Sequence, residues 1–85
     1  MKVELDISDY DKNTGFKSDW HGDFTIDSKI NDGVIHIRAN KDGLISLAKQ
    51  MLAMANDTVP IHYHLHYDDS NSLEDGSTEI ILEKI

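Results

Sequence analysis

The stretch DFTIDSKINDGVIHIRA, residues 23–39, reads as two strands folded back on one another. Apolar and polar residues alternate on both sides of Asn31-Asp32-Gly33, and Asp-Gly suits the positive-φ positions of a type I′ turn. With Asp32 and Gly33 as the loop pair, Ile30 falls opposite Ile35 and Ile26 opposite Ala39. The same register sets Asp27 against Arg38 and Lys29 against His36. One register therefore satisfies an apolar face and a polar, charge-paired face together. His36 and Arg38 belong to the polar face.

Working outward, the period changes directly after this hairpin. In NKDGLISLAKQMLAMAND, residues 40–57, Leu44, Leu47, Ala48, Met51, Leu52 and Ala55 recur at helical spacing, with Lys49 and Gln50 opposite them. Asn40 is placed to cap the helix, Asp42 suits the positive end of its dipole, and Pro60 prevents continuation. Met51 and Met54 read as core filler. Upstream, KVELDI (2–7) alternates Val3, Leu5 and Ile7 with charged residues, the pattern of a half-buried strand. Residues 8–22 lose that alternation and read as a long loop or a poorly formed hairpin that carries Trp20. Downstream, IHYHLHY (61–67) alternates strictly, DDSNSLEDGS (68–77) is an acidic loop, and TEIILEKI (78–85) is a last strand. Ile80, Ile81 and Leu82 are consecutive, which places that strand centrally or under a partner chain. The expected class is α+β: a mostly antiparallel sheet of about five strands, with one helix (about residues 41–56) across one face. The expected order is β-β-β-α-β-β, in a single domain over residues 1–85.

The chain has sixteen acidic and eight basic residues, a formal charge of −8, and no cysteine. The field of such a surface repels nucleic-acid phosphates and anionic lipid and attracts a basic partner. Absence of cysteine removes disulfides, thiolate metal sites and cysteine nucleophiles, and suits a reducing compartment. The N-terminus has no continuous apolar run of the kind a signal peptide needs, and no segment reaches the ~20 apolar residues of a membrane span. A cytoplasmic protein is expected.

The histidine strand carries the sharpest question. If Ile61, Tyr63, Leu65 and Tyr67 face the helix, His62, His64 and His66 project from the opposite side, where the hairpin also puts His36 and Arg38. A metal site is one reading, with His36, His62 and His64 as candidate ligands. Alternate strand residues lie ~6.6 Å apart and two imidazoles can bridge that gap, whereas His62 and His66 are ~13 Å apart. Neither a metalloprotease motif nor a second distant ligand pair accompanies them. General acid-base catalysis lacks a partnered nucleophile, and Gly15, Gly22, Gly33, Gly43 and Gly76 are isolated rather than clustered in a phosphate loop. No cofactor and no enzymatic activity are therefore expected. From the residues alone, a solvated polar face and a partner-binding face stand equal. For partner binding, the candidates are His62, His64, His66, the flanking Asp68, Asp69, Glu74 and Asp75, and Trp20, which either serves as an aromatic anchor or, equally, folds back onto the small core.

The order Asp42-Gly43-Leu44, Leu47-Ala48, HYHL (62–65) and LEDGSTEIILEKI (73–85) resembles the small α+β immunity proteins of bacterial polymorphic toxin systems, specifically the family numbered thirty-two. The likeness covers roughly residues 36–85, and residues 1–35 carry no matching motif. It implies a stoichiometric inhibitor that binds a cognate toxin domain and protects the producing cell. Many such toxins are nucleases with basic clefts, which an acidic surface can occupy. The resemblance assigns no particular contact residue. Against it stands a small metal-binding or metal-dependent enzymatic module built on the His-x-His-x-His strand. Either function is compatible with a homodimer formed through the apolar C-terminal strand.

Overall fold

A computed structural model describes residues 1–85. Four strands and one helix follow in the order β1 (Ile26–Asn31), β2 (Val34–Ala39), α1 (Lys41–Met54), β3 (His64–Tyr67) and β4 (Ile80–Glu83). They make two separate two-stranded antiparallel sheets, β1–β2 and β3–β4. The class is α+β, as the alternating patterns indicate, but the single five-stranded sheet is replaced by two small ones.

The hairpin has the expected register: Ile30 pairs with Ile35, Ile26 with Ala39, Asp27 with Arg38 and Lys29 with His36. Asp32 and Gly33 both take positive φ, 51° and 77°, as a two-residue hairpin loop of this hand requires. On the polar face Arg38 donates from Nη2 to Asp27 Oδ2 at 2.9 Å and from Nε to both carboxylate oxygens at 3.2 Å. That hydrogen-bonded guanidinium holds the Asp27 carboxyl below the usual aspartate range.

Asn40 starts α1 as the sequence implies and does more besides. Its Oδ1 accepts from Gly43 N at 2.7 Å and from Thr25 N at 3.0 Å, while Nδ2 donates to Asp23 O at 2.9 Å. One side chain thus caps the helix and ties it to the strand entering the hairpin. Gly43 permits the close approach: a Cβ there would sit 2.5 Å from Thr25 O and 3.0 Å from Ile26 Cγ1.

The helix presents a different face from the one its leucines mark. Its buried residues are Gly43, Ser46, Gln50, Ala53 and Met54, while Leu44, Met51 and Leu52 are exposed. The inward stripe is displaced by one residue from the apolar one, about 100° of rotation. The cause lies in the N-terminal segment. Residues 2–7 form no strand, and residues 1–25 hold only an isolated bridge between Asp11 and Gly15. Their backbone therefore lacks ladder partners where they cross α1, and the helix supplies them. Ser46 Oγ accepts from His21 N at 2.7 Å and donates to His21 O at 3.2 Å, and Gln50 Nε2 donates to Asp19 O at 2.8 Å.

The central cluster is Ile26, Tyr67 and Leu73, with Trp20, Phe24, Ala39, Leu47, Leu65, Ile80 and Leu82 packed around it. A second aromatic contact anchors the start of the chain, where Tyr63 stacks on Phe16 and meets Tyr10 edge-on, with centroids at 5.7 and 5.5 Å. Lys84 Nζ donates to Asn56 O at 2.7 Å and Val59 O at 2.9 Å, binding the end of the helix to the C-terminal strand. That strand is not central, since β4 pairs only with β3. Ile80 and Leu82 turn inward to the core, and Ile81 is exposed on the other side. The two sheets are joined along the outer side of β1: Glu74 N donates to Ile26 O and Thr78 N to Ser28 O, both at 2.8 Å.

Candidate interaction surface

The histidine strand is shorter than its alternation suggests. β3 begins at His64, because His62 has φ 69° and leaves the extended conformation. Within β3 the alternation holds: Leu65 and Tyr67 face the core, and His64 and His66 face outward. Ile61 remains exposed instead of joining the core, since it precedes the strand. The outward rings of His64 and His66 meet edge to face with centroids 5.0 Å apart.

Antiparallel pairing brings β4 carboxylates to these rings. His64 lies opposite Glu83 and His66 opposite Ile81. His66 Nδ1 is 3.3 Å from Glu79 Oε2, and His62 Nδ1 is 3.5 Å from Glu83 Oε2. His64 Nδ1 lies 3.1 Å from the carbonyl oxygen of His62. Three histidines and two glutamates thus make one exposed face around Ile81, able to donate and accept hydrogen bonds. The residue pattern alone does not mark Glu79 and Glu83 as partners of these rings. Their signal is the period-two spacing Glu79, Ile81, Glu83, hidden by the apolar run between them.

His36 is not on this face. It belongs to β2, in the other sheet, so the shared four-histidine face expected from the sequence does not form. His36, His62 and His64 are not brought together, and no group of three or more histidine and carboxylate side chains is arranged to hold a metal ion.

The acidic loop divides into two kinds of carboxylate. Asp68 Oδ1 accepts from Ser70 N at 2.9 Å and Ser70 Oγ at 2.7 Å, and these bonds hold its carboxyl below the ordinary range. Asp68 O also accepts from Leu73 N at 2.9 Å, closing the turn, and Asp69 Oδ2 accepts from Gly76 N at 3.2 Å. Asp68 and Asp69 therefore shape the loop. Glu74 and Asp75 are exposed, and their carboxylates make no hydrogen bond within the chain. Between the two pairs Leu73 is buried and anchors the loop to the core.

Trp20 lies half-buried beside this loop. It stacks on Phe24 with centroids at 4.6 Å and meets Tyr67 edge-on at 5.7 Å. With Ser18, Leu65, His66, Asn71 and Ser72 it lines a shallow groove that opens next to the histidine face. Burial pushes the Tyr67 hydroxyl up to about 12, so it is neutral under ordinary conditions. No helix is long and apolar enough to cross a membrane.

No curated protein and no solved structure matches this chain. The family model described as immunity protein 32 matches residues 34–85, which span β2, the helix, the histidine strand, the acidic loop and β4. The chain therefore belongs to the immunity protein 32 family.

Proposed function

We propose that this protein is the stoichiometric inhibitor of a toxin domain made by the same bacterial cell, acting in the cytoplasm by binding rather than by catalysis, and that residues 1–85 work as one domain. The observation that carries the reading is the family match over residues 34–85, which holds the whole histidine and acidic-loop surface. The net charge of −8 supports a basic partner, such as the substrate cleft of a nuclease, because complementary fields speed encounter. The histidine-glutamate face and the free carboxylates of Glu74 and Asp75 are the surface assigned to that contact. Trp20 stands at its border as an aromatic neighbour.

Co-expression with the toxin domain encoded in the adjacent reading frame tests this. Growth should be rescued, and the two chains should purify as a complex of equal stoichiometry. Absence of both rescue and complex would end the proposal.

A further inference from the structure

Outside the histidine face, the largest unexplained feature is the free side of the hairpin. Ile30, Val34, Ile35 and Ile37 are 56%, 63%, 70% and 43% exposed, although the alternating pattern marks the three isoleucines for burial. Ile30, Ile35 and Ile37 line an open apolar groove with Ile80 and Ile81. The outer edge of β2 pairs with no strand.

The direction of its backbone groups follows from β1. The carbonyls of Ile26 and Ser28 accept from Glu74 and Thr78, so they point away from β2. Their antiparallel partners Ala39 and Ile37, and by alternation Ile35, therefore point their N–H and C=O groups away from β1. An edge with apolar, outward-bonding residues at three alternate positions is a template for another strand.

We propose that this edge pairs antiparallel with the same edge of a second copy, centred on His36, forming a continuous four-stranded sheet β1–β2–β2–β1. Four considerations select a second copy. First, the accessible surface is 6117 Å² for 9.6 kDa, against about 5,100 Å² expected for a folded monomer of that mass. The excess over the whole chain, about 1,000 Å², includes the exposed Ile30, Val34, Ile35 and Ile37 of this hairpin, and a stable interface buries roughly 800 Å² on each partner. Second, two chains of charge −8 repel except where carboxylates are absent, and Val34–Ala39 contains none. The β4 edge, flanked by Glu79 and Glu83, would set carboxylates together. Third, centring on His36 pairs Ile35 with the second copy's Ile37 and Ile37 with its Ile35, so both apolar faces coincide. Fourth, the same register places Asp32 of each copy diagonally from Arg38 of the other, within reach of a long side chain. Centring on Ile37 would instead oppose His36 with Arg38, and centring on Ile35 would run into the Gly33 turn.

The register has a direct test, because the chain has no cysteine. A non-hydrogen-bonded antiparallel pair has Cα atoms about 4.5 Å apart, within the range a disulfide spans. His36→Cys should give a covalent dimer under mild oxidation at least about tenfold faster than Val34→Cys or Arg38→Cys, which face each other rather than themselves. Wild-type protein should sediment as a dimer at about 100 μM, and Ile37→Pro should sediment as a monomer, since it removes an outward N–H and leaves the hairpin ladder whole. Circular dichroism and toxin rescue check that the proline variant is folded, and Ile35→Lys, which keeps every backbone donor, should be monomeric too. A wild-type monomer at that concentration, equal cross-linking at positions 34 and 36, or a dimer in both edge variants would overturn the proposal. Failure of toxin rescue by wild type would leave this result untouched and strike only the immunity reading.

Discussion

Gln50 donates from its buried side-chain amide to the carbonyl of Asp19 at 2.8 Å, and this bond turns the polar side of the helix inward. Gln50 is 1% exposed and Ser46 fully buried, yet no buried side-chain polar atom lacks a partner. Buried amides and hydroxyls are tolerated only on those terms. Gln50→Leu should therefore destabilise by about 1–3 kcal/mol, because it unpairs the Asp19 carbonyl and the buried Tyr67 hydroxyl, which donates to Gln50 Oε1 at 3.5 Å. Leu52→Lys, on the exposed apolar side, should change stability by less than about 0.5 kcal/mol. Urea denaturation measures both. The single tryptophan, beside Asp19, should shift its emission to the red in the Gln50 variant. If the leucine stripe faced the core, the two substitutions would exchange their effects.

The contrast between the hairpin and the helix shows what the sequence could carry. Asn31-Asp32-Gly33 specifies a turn by local backbone chemistry, so every cross-strand pair from Ile26–Ala39 onward was legible. The cap by Asn40 was legible for the same reason. The orientation of α1 was not, because it depends on residues 19–21, whose need for hydrogen-bond partners has no periodic signature. Val3, Leu5 and Ile7 alternate like a strand, but no neighbouring strand accepts them, and alternation alone forms no ladder. In the site, the outward direction of His64 and His66 was readable from period two. The loss of His62 from the strand and the separation of His36 were not, since both depend on how the sheets divide.

Asn40 holds three backbone groups at once, and its replacements should separate those roles. Asn40→Ala loses the helix cap and both ties to residues 23–25, and should cost about 2 kcal/mol, at the upper end for caps. Asn40→Asp keeps the Oδ1 acceptor for Gly43 and Thr25 but loses the donor to Asp23 O. It should fall between wild type and the alanine variant. Equal losses for the two variants would place the whole effect in the Asp23 contact.

Alkaline stability should depend on Tyr67. Its hydroxyl is neutral in the fold, with its pKa pushed by burial from 10.0 to about 12. A raised folded value means that stability is fully present below pH 10 and is lost as pH rises toward 12. Over that window the loss attributable to this group is about 1–2 kcal/mol, once solvent screening of the ring's outer edge is allowed for. Tyr67→Phe should flatten the alkaline fall in melting temperature, and phenolate absorbance should show one of the three tyrosines titrating late, together with unfolding.

At the acid end the sign reverses. Asp27 and Asp68 have depressed values, the first through Arg38 and the second through Ser70. Their stabilisation is present above pH 3.8, the unfolded value, and is lost as pH falls through the lower folded values. Asp68→Asn keeps an acceptor for Ser70 without the charge, and should begin with a lower melting temperature at neutral pH and a shallower acid slope. A wild-type slope in the Asp27→Asn, Asp68→Asn double variant would assign the acid limb to other carboxylates.

The division within the acidic loop makes the proposed toxin contact separable from folding. Glu74 and Asp75 have exposed carboxylates with no hydrogen bond in the chain, whereas Asp68 and Asp69 hold the loop together. Reversing both free charges, Glu74→Lys with Asp75→Lys, should leave the melting temperature within about 4 °C, as expected for surface changes that cost less than half a kcal/mol. If these carboxylates steer a basic toxin, the association rate should fall about tenfold or more at low salt, with the difference shrinking as ionic strength rises. Dissociation should change by less than about threefold, because steering charges act on encounter more than on the docked complex. Stopped-flow measurement at two salt concentrations distinguishes the cases. An unchanged association rate with faster dissociation would make the loop a close contact rather than a source of attraction, and no change in either rate would move the interface off this surface.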